Sequence, residues 1–353
     1  MCAVQQGWYR EFRLVPSGAG RFCIETKGEI AVKIAVVGAT GEVGRMMTRV
    51  LQEQNVRPEE VSFFASARSA GDEVEFYGRK HRVKELTEEA MRERYDYLLF
   101  SAGAAVSRQF APIAAEAGSV VIDNSSAFRM DPAIPLVVPE INGDLLKGYR
   151  SGIVANPNCS TIQMVLALYR VHERYGIRSI VVSTYQSVSG AGKKGMNELE
   201  DQMKGHIAPK KFVKQIHLNV VPQIGSLLEN GFTDEEMKMV NETRKILRDP
   251  DISVWPTTVR VPVLYCHSES ILTETRKPFD LQGIEAALEA GEHVALSRDM
   301  FTPLDAAGTD LTYVGRVRAF DDTRFLMWNV ADNIRVGAAT NAVRILLKHG
   351  ELN

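Results

Sequence analysis

The chain has few cysteines, and their spacing matches neither a metal site nor a disulfide framework. The four are Cys2, Cys23, Cys159 and Cys266, and no CxxC pair occurs among them. Zinc sites and small disulfide-bonded folds need closely spaced cysteines, so neither is indicated and we predict no metal. A reducing cytoplasm is the expected compartment for such a chain.

Long apolar runs and an excess of one charge are also absent. No apolar stretch approaches the roughly 20 residues that a membrane-spanning helix needs. The formal net charge is -2, with 24% charged and 45% hydrophobic residues. We therefore expect neither nucleic acid nor a membrane as a partner. A length of 353 residues is enough for two domains.

The first 31 residues lack the sustained apolar core of a secretory signal. They are modestly basic, which leaves an organelle transit peptide as an alternative. The simpler interpretation is an extra leader, with a true start at Val32, immediately before the first predicted strand. We expect residues 1–31 to lie outside the fold.

Short apolar strands alternate with helices from Lys33 onwards. This alternation is typical of an α/β fold, and it predicts a Rossmann-type doubly wound parallel sheet. The strands are predicted at 34–37, 61–65, 97–100 and 120–122, and the helices at 45–54 and 107–117.

The pattern changes near Asn156. Longer strands interleaved with helices predict an α+β domain of antiparallel strands, and the helical tail at 336–349 could pack back onto the first domain. We therefore assign 32–156 and 334–353 to a nucleotide-binding domain and 157–333 to a second domain. Predicted helices run from Cys159 or Ser160 to about Tyr175 and over 195–205 and 234–247; predicted strands are 180–186, 253–264, 268–275, 312–319 and 325–330.

Gly38, Gly41 and Gly44 follow the first predicted strand and precede a helix. Glycines allow a tight turn and a close approach to a pyrophosphate, which then meets the free N–H groups of the helix. The strand–turn–helix context favours a dinucleotide site. A tight turn with no ligand is the alternative.

The end of the second strand distinguishes the two nicotinamide cofactors. NAD enzymes usually carry an acidic residue there for the ribose 2′-hydroxyl. Here the strand ends in Ser66-Ala67-Arg68-Ser69, with no acid before Asp72. A cation beside hydroxyls suits a 2′-phosphate and favours NADP. A solvated loop arginine is the alternative for Arg68.

Cys159 lies in the polar run NPNCST, directly before a predicted helix. The positive end of the helix dipole stabilises a thiolate, so we expect a lowered pKa and a nucleophile. The alternative is a small buried side chain without chemistry, which is common for free cysteines. The polar neighbours of Cys159 argue against it.

A nucleophilic thiol needs a base, and His267 is the candidate. It follows the apolar run RVPVLYC, where a polar segment begins. A structural histidine is an equally good interpretation from sequence alone. Cys266 faces the opposite side of the strand from His267, so we expect it to pack in the core.

Together these motifs resemble the aspartate-semialdehyde dehydrogenase family, from Val32 to the C-terminus. The resemblance implies an NADP-binding Rossmann domain and a catalytic and dimerisation domain, as in glyceraldehyde-3-phosphate dehydrogenase-like folds. The matching segments are GATGEVG at 38–44, SSAFRMD at 125–131, NPNCST at 156–161, TYQSVSGAG at 184–192, EEMK at 235–238, RVPVLYCHSES at 260–270 and DNIRVGAA at 332–339.

The resemblance implies covalent chemistry on Cys159. The thiol attacks the aldehyde carbon, hydride transfer to NADP leaves a thioester, and phosphate releases an acyl phosphate. Biosynthesis runs in reverse, from L-4-aspartyl phosphate and NADPH to L-aspartate 4-semialdehyde. This reaction serves lysine, threonine, methionine and diaminopimelate synthesis. A homodimer or homotetramer is also implied.

The resemblance further assigns His267 as general acid/base and Gln186 as the residue that orients the reacting group. Arg260 would bind the substrate α-carboxylate with its guanidinium fork, and Glu235 the α-amino group. Lys238 and Arg129 would bind the phosphate. An ordinary surface ion pair is the alternative for Glu235 and Lys238, because residues three apart share a helix face. Asn158 would also contact substrate or phosphate; Thr40, Glu42, Val43, Arg68, Ser69, Ser189, Gly190 and Asn333 would join the glycines around the nucleotide.

Three other functions share some of these sequence features. N-acetyl-glutamyl-phosphate reductase shares the covalent chemistry, but its cysteine motif resembles NPGCYPT, where this chain has Asn158, Ser160 and Thr161. The SCTTN-type motif of glyceraldehyde-3-phosphate dehydrogenase is absent from the sequence. A non-catalytic NADP-binding protein is disfavoured by the intact set of candidate catalytic residues.

Overall fold

The computed structural model describes residues 32–353, and the predicted leader at 1–31 lies outside the described residues. The described chain folds into two six-stranded sheets and one small hairpin. Within residues 32–353, every helix is too short or too polar to cross a membrane.

The first sheet is parallel throughout and has the strand order β5-β2-β1-β6-β7-β8, while β3 and β4 form the hairpin. The order reverses between β1 and β6, where ligand crevices form in doubly wound sheets. The predicted Rossmann-type sheet is therefore confirmed. Its elements are β1 (Lys33–Val37), α1 (Glu42–Glu53), β2 (Glu60–Ala65), β3 (Glu73–Phe76), β4 (Arg79–Arg82), β5 (Lys84–Glu85), α2 (Glu88–Arg92), β6 (Tyr97–Phe100), α3 (Ala104–Glu116), β7 (Val120–Asp123), α4 (Pro139–Asn142) and β8 (Gly152–Ala155).

The central strands are continuous apolar runs because helices cover both faces of the sheet. On one face, Val36 and Leu99 lie in a core with Met47 of α1. On the other face, Val37 and Leu98 belong to a separate core that α3 completes. Burial on both sides holds the carboxyl ends of β1 and β6 in place, where the glycine loop begins.

The second sheet has the order β10-β9-β11-β14-β13-β12 and is mixed. The prediction of antiparallel strands was wrong for two pairs, since β9–β10 and β12–β13 are parallel. Long connections that contain helices reverse the chain direction and permit parallel pairing there. The elements are α5 (Cys159–Tyr175), β9 (Ile177–Gln186), α6 (Gly192–Met203), α7 (Asp234–Leu247), β10 (Ser253–Arg260), β11 (His267–Thr275), α8 (Leu281–Glu289), β12 (Val294–Leu296), α9 (Pro303–Ala306), β13 (Thr312–Ala319), β14 (Arg324–Ala331) and α10 (Thr340–Leu352).

Helices α5, α7 and α8 cover one face of the second sheet, whereas much of the opposite face is exposed and α9 covers its end at Val330. Along β9, Ile180 and Val182 point into a core with α5, α7 and α8, whereas Val181 and Tyr185 point outward and are exposed. This alternation is typical of a sheet buried on one side.

The tail returns to the first sheet. A π-helical turn, Arg335–Ala339, leads into α10. Val343 and Ile345 of α10 are fully buried in the same core as β1. His349 hydrogen-bonds the Tyr97 hydroxyl at 2.9 Å. This packing supports our proposal that the tail belongs to the nucleotide-binding domain.

We predict that Ile345→Ala destabilises the first sheet. Truncating a fully buried isoleucine removes apolar contacts and leaves a cavity, at a cost of about 2–5 kcal/mol. Urea unfolding followed by circular dichroism measures the change. Glu351→Ala, on the exposed side of α10, should shift stability by less than about 0.5 kcal/mol. Equal effects of the two substitutions would contradict the buried position of α10.

Candidate active site

Three predicted site residues lie in one row across adjacent strands. Gln186 ends β9 and pairs in register with Arg260, which ends β10, and with His267, which begins β11. All three side chains are buried. Because side chains alternate between the faces of a sheet, they point to the helix-covered side.

Two helices begin beside this row. The predicted start of α5 at Cys159 is confirmed, and α7 starts at Asp234 as expected. A capping box stabilises the α7 start: the Thr233 hydroxyl accepts from the Glu236 N–H, and the Glu236 carboxylate accepts from the Thr233 N–H. The reactive positions are thus placed at helix N-termini, where backbone N–H groups are free to meet anions.

Asn158 joins the two helices. Its Oδ1 caps α5 by accepting the N–H groups of Ser160 and Thr161 at 3.0 and 3.2 Å. Its Nδ2 donates to Glu235 Oε1 at 2.9 Å, and its backbone N–H donates to Glu242 Oε2 at 2.6 Å. One Nδ2 hydrogen is left for a ligand, which permits the predicted contact of Asn158 with substrate. That contact stays a prediction.

The pKa of Cys159 differs from the expectation. Burial, and secondly the negative Glu235, raise its pKa to about 12, although Arg129 and Arg260 act in the opposite direction. The helix start is present, but desolvation of a thiolate outweighs what the dipole was expected to contribute. The predicted low pKa is therefore wrong for the ligand-free protein.

Glu235 and Lys238 form the predicted pair on one helix face. Lys238 Nζ lies 3.0 Å from Glu235 Oε2 and 3.1 Å from Asp234 Oδ2. Burial raises the pKa of Glu235, but Lys238, Asn158 and Arg260 together outweigh it and lower the pKa to about 2. Glu235 is therefore a buried carboxylate at neutral pH, unlike a member of a surface ion pair.

Arg129 is held by the protein itself. Its Nη1 pairs with the buried Glu242 at 3.0 Å, and Nε and Nη2 donate to the backbone oxygens of Asn156 and Asn124 at 2.9 Å. A guanidinium has five N–H groups, so two hydrogens remain for an anion. The bond to the Asn156 carbonyl places Arg129 beside the segment that carries Cys159, and its charge acts to lower the pKa of that thiol.

Arg260 is a buried cation with little compensation. Within residues 32–353, the Arg260 guanidinium makes one hydrogen bond, which Nη1 donates to the Ser187 carbonyl oxygen at 2.6 Å. Its guanidinium also lies 5.9 Å from the ring centroid of Phe212. Burial lowers the pKa of Arg260, while Glu235 and Cys159 oppose the shift. A buried guanidinium with free donors is suited to bind a carboxylate.

His267 has a defined tautomer. Its Nδ1 accepts the Ser187 backbone N–H at 3.1 Å, so the ring proton belongs on Nε2. Nε2 is buried and has no hydrogen-bond partner in the described chain. Burial and the Arg260 charge lower the pKa of His267 to about 3. A neutral imidazole thus presents an unused N–H donor.

A cluster of small polar groups holds this imidazole. Asn333 Oδ1 accepts from the hydroxyls of Ser187 and Ser189 at 3.1 Å and from the Cys266 N–H at 3.0 Å. Gly190 lies against the ring, and a Cβ there would be 3.1 Å from His267 Nε2. The predicted contacts of Ser189, Gly190 and Asn333 with a nicotinamide stay predictions, but all three lie beside His267.

The glycine loop has the geometry of a nucleotide cradle. Gly38 has φ +80°, and a Cβ there would be 2.4 Å from the Ser101 oxygen at the end of β6. At Gly44, a Cβ would be 2.2 Å from the Gly38 oxygen, so only glycine lets α1 approach the turn. Gly41 is the N-cap of α1 and has no side-chain cap, which leaves N–H groups for a pyrophosphate.

The other predicted nucleotide residues lie around this loop. Arg68 and Ser69 form a 3₁₀ turn directly after β2, next to β1, and the Arg68 side chain is exposed. Thr40, Glu42 and Val43 lie on the loop or in the first turn of α1. A dinucleotide bound at the switch point would therefore have a cation at the end of the neighbouring strand.

Three residues of the site were missed from sequence. Glu242 lies two helical turns after Glu235 on the same face of α7, a spacing that could have revealed it. Ser187 lies within the TYQSVSGAG run. Gly337 gave no local signal; a Cβ there would be 2.6 Å from Cys159 Cβ, so this glycine lets the π-helical turn pack on the nucleophile. Cys266 packs with Ala306 and Val330, as expected.

Two family models match the chain. A semialdehyde dehydrogenase NAD-binding domain matches residues 33–149, and a semialdehyde dehydrogenase dimerisation domain matches residues 168–336.

Named relatives match over nearly their full length. The chain is 47% identical to the aspartate-semialdehyde dehydrogenase of Aquifex aeolicus over 90% of this chain and 98% of that protein. It is 43% identical to the aspartate-semialdehyde dehydrogenase of Bacillus subtilis, over 91% of this chain and 98% of that protein. A solved structure, aspartate semialdehyde dehydrogenase II from Vibrio cholerae complexed with ASA, superposes on this chain with a TM-score of 0.88. The two are 46% identical, and the match covers 91% of this chain and 99% of that one.

We predict that His267 stays neutral, with its proton on Nε2, from pH 8 down to pH 5. A pKa near 3 leaves the ring uncharged over this range, whereas an unfolded histidine titrates near 6.5. The ¹⁵N shifts of ring-labelled histidine in the ligand-free protein report charge and tautomer. The denatured chain is the reference. A His267 signal that titrates between pH 6 and 7, or a proton on Nδ1, would contradict this geometry.

Proposed function

The chain belongs to the aspartate-semialdehyde dehydrogenase family, oxidoreductases that act on an aldehyde with a nicotinamide cofactor, and on this basis we propose its reaction. It converts L-4-aspartyl phosphate and NADPH to L-aspartate 4-semialdehyde through a thioester on Cys159. In the cell this reaction serves lysine, threonine, methionine and diaminopimelate synthesis in the cytoplasm. The observation that carries the proposal is the partly exposed Cys159 at the start of α5, with the charges of the buried Arg260 and Glu235 acting on its thiol.

The charges of the site match those of the substrate. Arg260 has free guanidinium hydrogens for the α-carboxylate, and Glu235 is an ionised acceptor for the α-ammonium. Lys238 and the two spare hydrogens of Arg129 provide positive charge for the phosphoryl group. A substrate with only one of these groups would leave buried charges uncompensated.

Substrate binding also activates the thiol. Glu235 is one of the two main causes of the raised pKa of Cys159. An ammonium group paired with Glu235 cancels that negative charge, and the helix N-terminus with Arg129 then favours the thiolate. The low pKa expected from sequence becomes a property of the complex.

His267 and Gln186 act on the carbonyl. The His267 Nε2–H has no acceptor among residues 32–353, so it can donate to the oxygen that becomes an anion at the acyl carbon. The contacts of Gln186 Nε2 are long, 3.4 Å to Thr184 Oγ1 and 3.4 Å to Glu235 Oε1, so this amide can turn toward the reacting group. We assign the neutral His267 as oxyanion donor in the reductive direction; the general acid/base role that the family resemblance implies stays a prediction.

The bond changes follow from these positions. Attack by the Cys159 thiolate forms the C–S bond, and inorganic phosphate leaves with the electron pair of the C–O bond. The nicotinamide, when bound, supplies hydride to the thioester carbon. Collapse of the oxyanion held by His267 breaks the C–S bond and returns the thiolate.

The glycine loop and Arg68 support NADP as the cofactor. The missing Cβ atoms at Gly38 and Gly44 and the uncapped start of α1 suit a pyrophosphate. Arg68 and Ser69 follow β2 at the position where a 2′-phosphate needs a cation and a hydroxyl.

A second copy of the chain suits the exposed face of the second sheet. Val181 is 44% exposed, Tyr185 38% and Trp255 58% on that face. Apolar patches of this kind mark protein interfaces. The matching dimerisation model covers the strands that carry them. We assign this face to the dimer contact of a homodimer or homotetramer.

We predict phosphate-dependent reduction of NADP by the purified protein with L-aspartate 4-semialdehyde. Cys159→Ala should lower kcat by at least about 10⁴-fold, because the covalent step is lost, and leave the Kd for NADP within about twofold. Absorbance at the NADPH band measures turnover, and fluorescence measures binding. Cys266→Ala is the matched cysteine control and should keep phosphate-dependent turnover. Protein that binds NADP without such turnover would contradict the proposed reaction.

We predict that Arg68→Ala raises the KM for NADPH by roughly 10–100-fold, because a charge-assisted contact to the 2′-phosphate is lost. The KM for NADH and kcat should change by less than about threefold. Steady-state kinetics with each cofactor give both ratios. Arg79→Ala, another exposed arginine of the same domain, is the control. An equal loss with both cofactors would exclude Arg68 as the 2′-phosphate ligand.

A further inference from the structure

A buried polar layer that the proposed mechanism does not use lies next to the catalytic row. It consists of Gln163, Glu269 and Asn329, each with 0% exposure. Gln163 lies one helical turn after Cys159 on α5. Glu269 is two residues after His267 on β11 and so shares its face, and it pairs in register with Asn329 on β14.

The three side chains connect the helix of the nucleophile to the strand of the histidine. Asn329 Nδ2 donates to the Gln163 carbonyl and to Glu269 Oε2, both at 3.1 Å. Gln163 Nε2 donates to the His267 carbonyl at 3.3 Å. The layer therefore touches α5 one turn from Cys159 and the backbone of His267 itself.

The layer has more acceptors than donors. Glu269 Oε1, Gln163 Oε1 and Asn329 Oδ1 are all buried and have no hydrogen-bond partner within residues 32–353. Both hydrogens of Asn329 Nδ2 are already used, and one of the two on Gln163 Nε2 binds the His267 carbonyl, so one amide hydrogen remains for three acceptors. A proton on Glu269 supplies a further donor, because a neutral carboxyl can donate to one amide oxygen while its other oxygen still accepts.

The electrostatic surroundings favour the same state. Burial raises the pKa of Glu269 well above its usual value, and the neighbouring amide groups of Gln163 and Asn329 offset this only in part. An ionised carboxylate would add acceptor capacity to a layer that already lacks donors. An isolated buried charge costs several kcal/mol, which protonation avoids.

We propose that Glu269 is a positioning residue: as a neutral acid it helps to fasten α5, one turn after Cys159, to β11 and β14 and so fixes Cys159 relative to His267. The expected effect on kcat rests on the proposed function. The protonation of Glu269 and its hydrogen bonds do not depend on turnover. A displacement of about 1 Å between reacting groups costs roughly 10²-fold in rate, which makes such a support necessary.

The substitutions Glu269→Gln and Glu269→Leu separate the two parts of the proposal, the neutral acid and the positioning of Cys159. Glu269→Gln keeps a donor and an acceptor in the same shape, so kcat should stay within about threefold. Glu269→Leu removes both, and kcat should fall roughly 10–100-fold while the KM values for substrate and cofactor change by less than about twofold. Thr273→Val, on the same face of β11 and likewise without a hydroxyl partner, is the control and should behave as wild type.

Two measurements do not need turnover. A protonated carboxyl band should appear at neutral pH in the infrared difference spectrum between wild type and Glu269→Gln. Hydrogen–deuterium exchange over 159–163 and 267–269 should accelerate at least about 10-fold in Glu269→Leu and stay unchanged in Glu269→Gln. If Glu269→Leu does not fold, Gln163→Met removes the hydrogen bond from the α5 side chain to the His267 carbonyl and leaves the backbone carbonyl of residue 163 in place. It loosens the same connection between α5 and β11 and should reproduce the kinetic and exchange effects.

Each alternative outcome has a distinct meaning. Carboxylate bands in place of the protonated band, or Glu269→Gln as impaired as the leucine variant, would overturn the neutral-acid assignment. A leucine variant with wild-type kcat would overturn the positioning role, as would a KM increase without loss of kcat. An inactive wild-type protein that still shows the infrared band and the exchange pattern would refute the proposed function alone.

Discussion

Asn158 is the residue on which the geometry of the site depends. Its carboxamide caps α5 with one atom and binds Glu235 with another, and its backbone N–H binds Glu242. The two helix starts are therefore fixed to each other before any ligand binds. These hydrogen bonds of Asn158 fix the position of Cys159, the next residue, and of the carboxylates of Glu235 and Glu242.

Burial gives the site its chemical character. Arg129 pairs with the buried Glu242 and keeps two spare N–H groups, and Arg260 and the Nε2–H of His267 also keep unused donors. In a desolvated pocket such donors interact strongly with a bound anion, because water does not compete. The ligand-free thiol is held protonated by the same burial, so reactivity becomes linked to binding.

Backbone strain and close packing cluster at the same place. Cys266 has φ +70° directly before His267, a left-handed conformation that non-glycine residues rarely adopt. The π-helical turn at 335–339 packs Gly337 against Cys159 and carries Arg335, which binds Asp310 at 2.8 and 2.9 Å and also Glu53 of α1. This turn ties the helix of the glycine loop to the nucleophile.

The sequence by itself determined the local features: the strand–glycine–helix unit, the helix start at Cys159 and the bounds of α7. Local backbone preferences and short spacings specify these, so a linear pattern reveals them. Only the tertiary structure decided that Gln186, Arg260 and His267 share one row, because strand register and the parallel β9–β10 pair join distant segments. The tertiary structure also decided the thiol pKa and the role of Asn158. Desolvation of the thiol depends on many neighbouring residues from distant segments, so it cannot be read from any one stretch of the sequence.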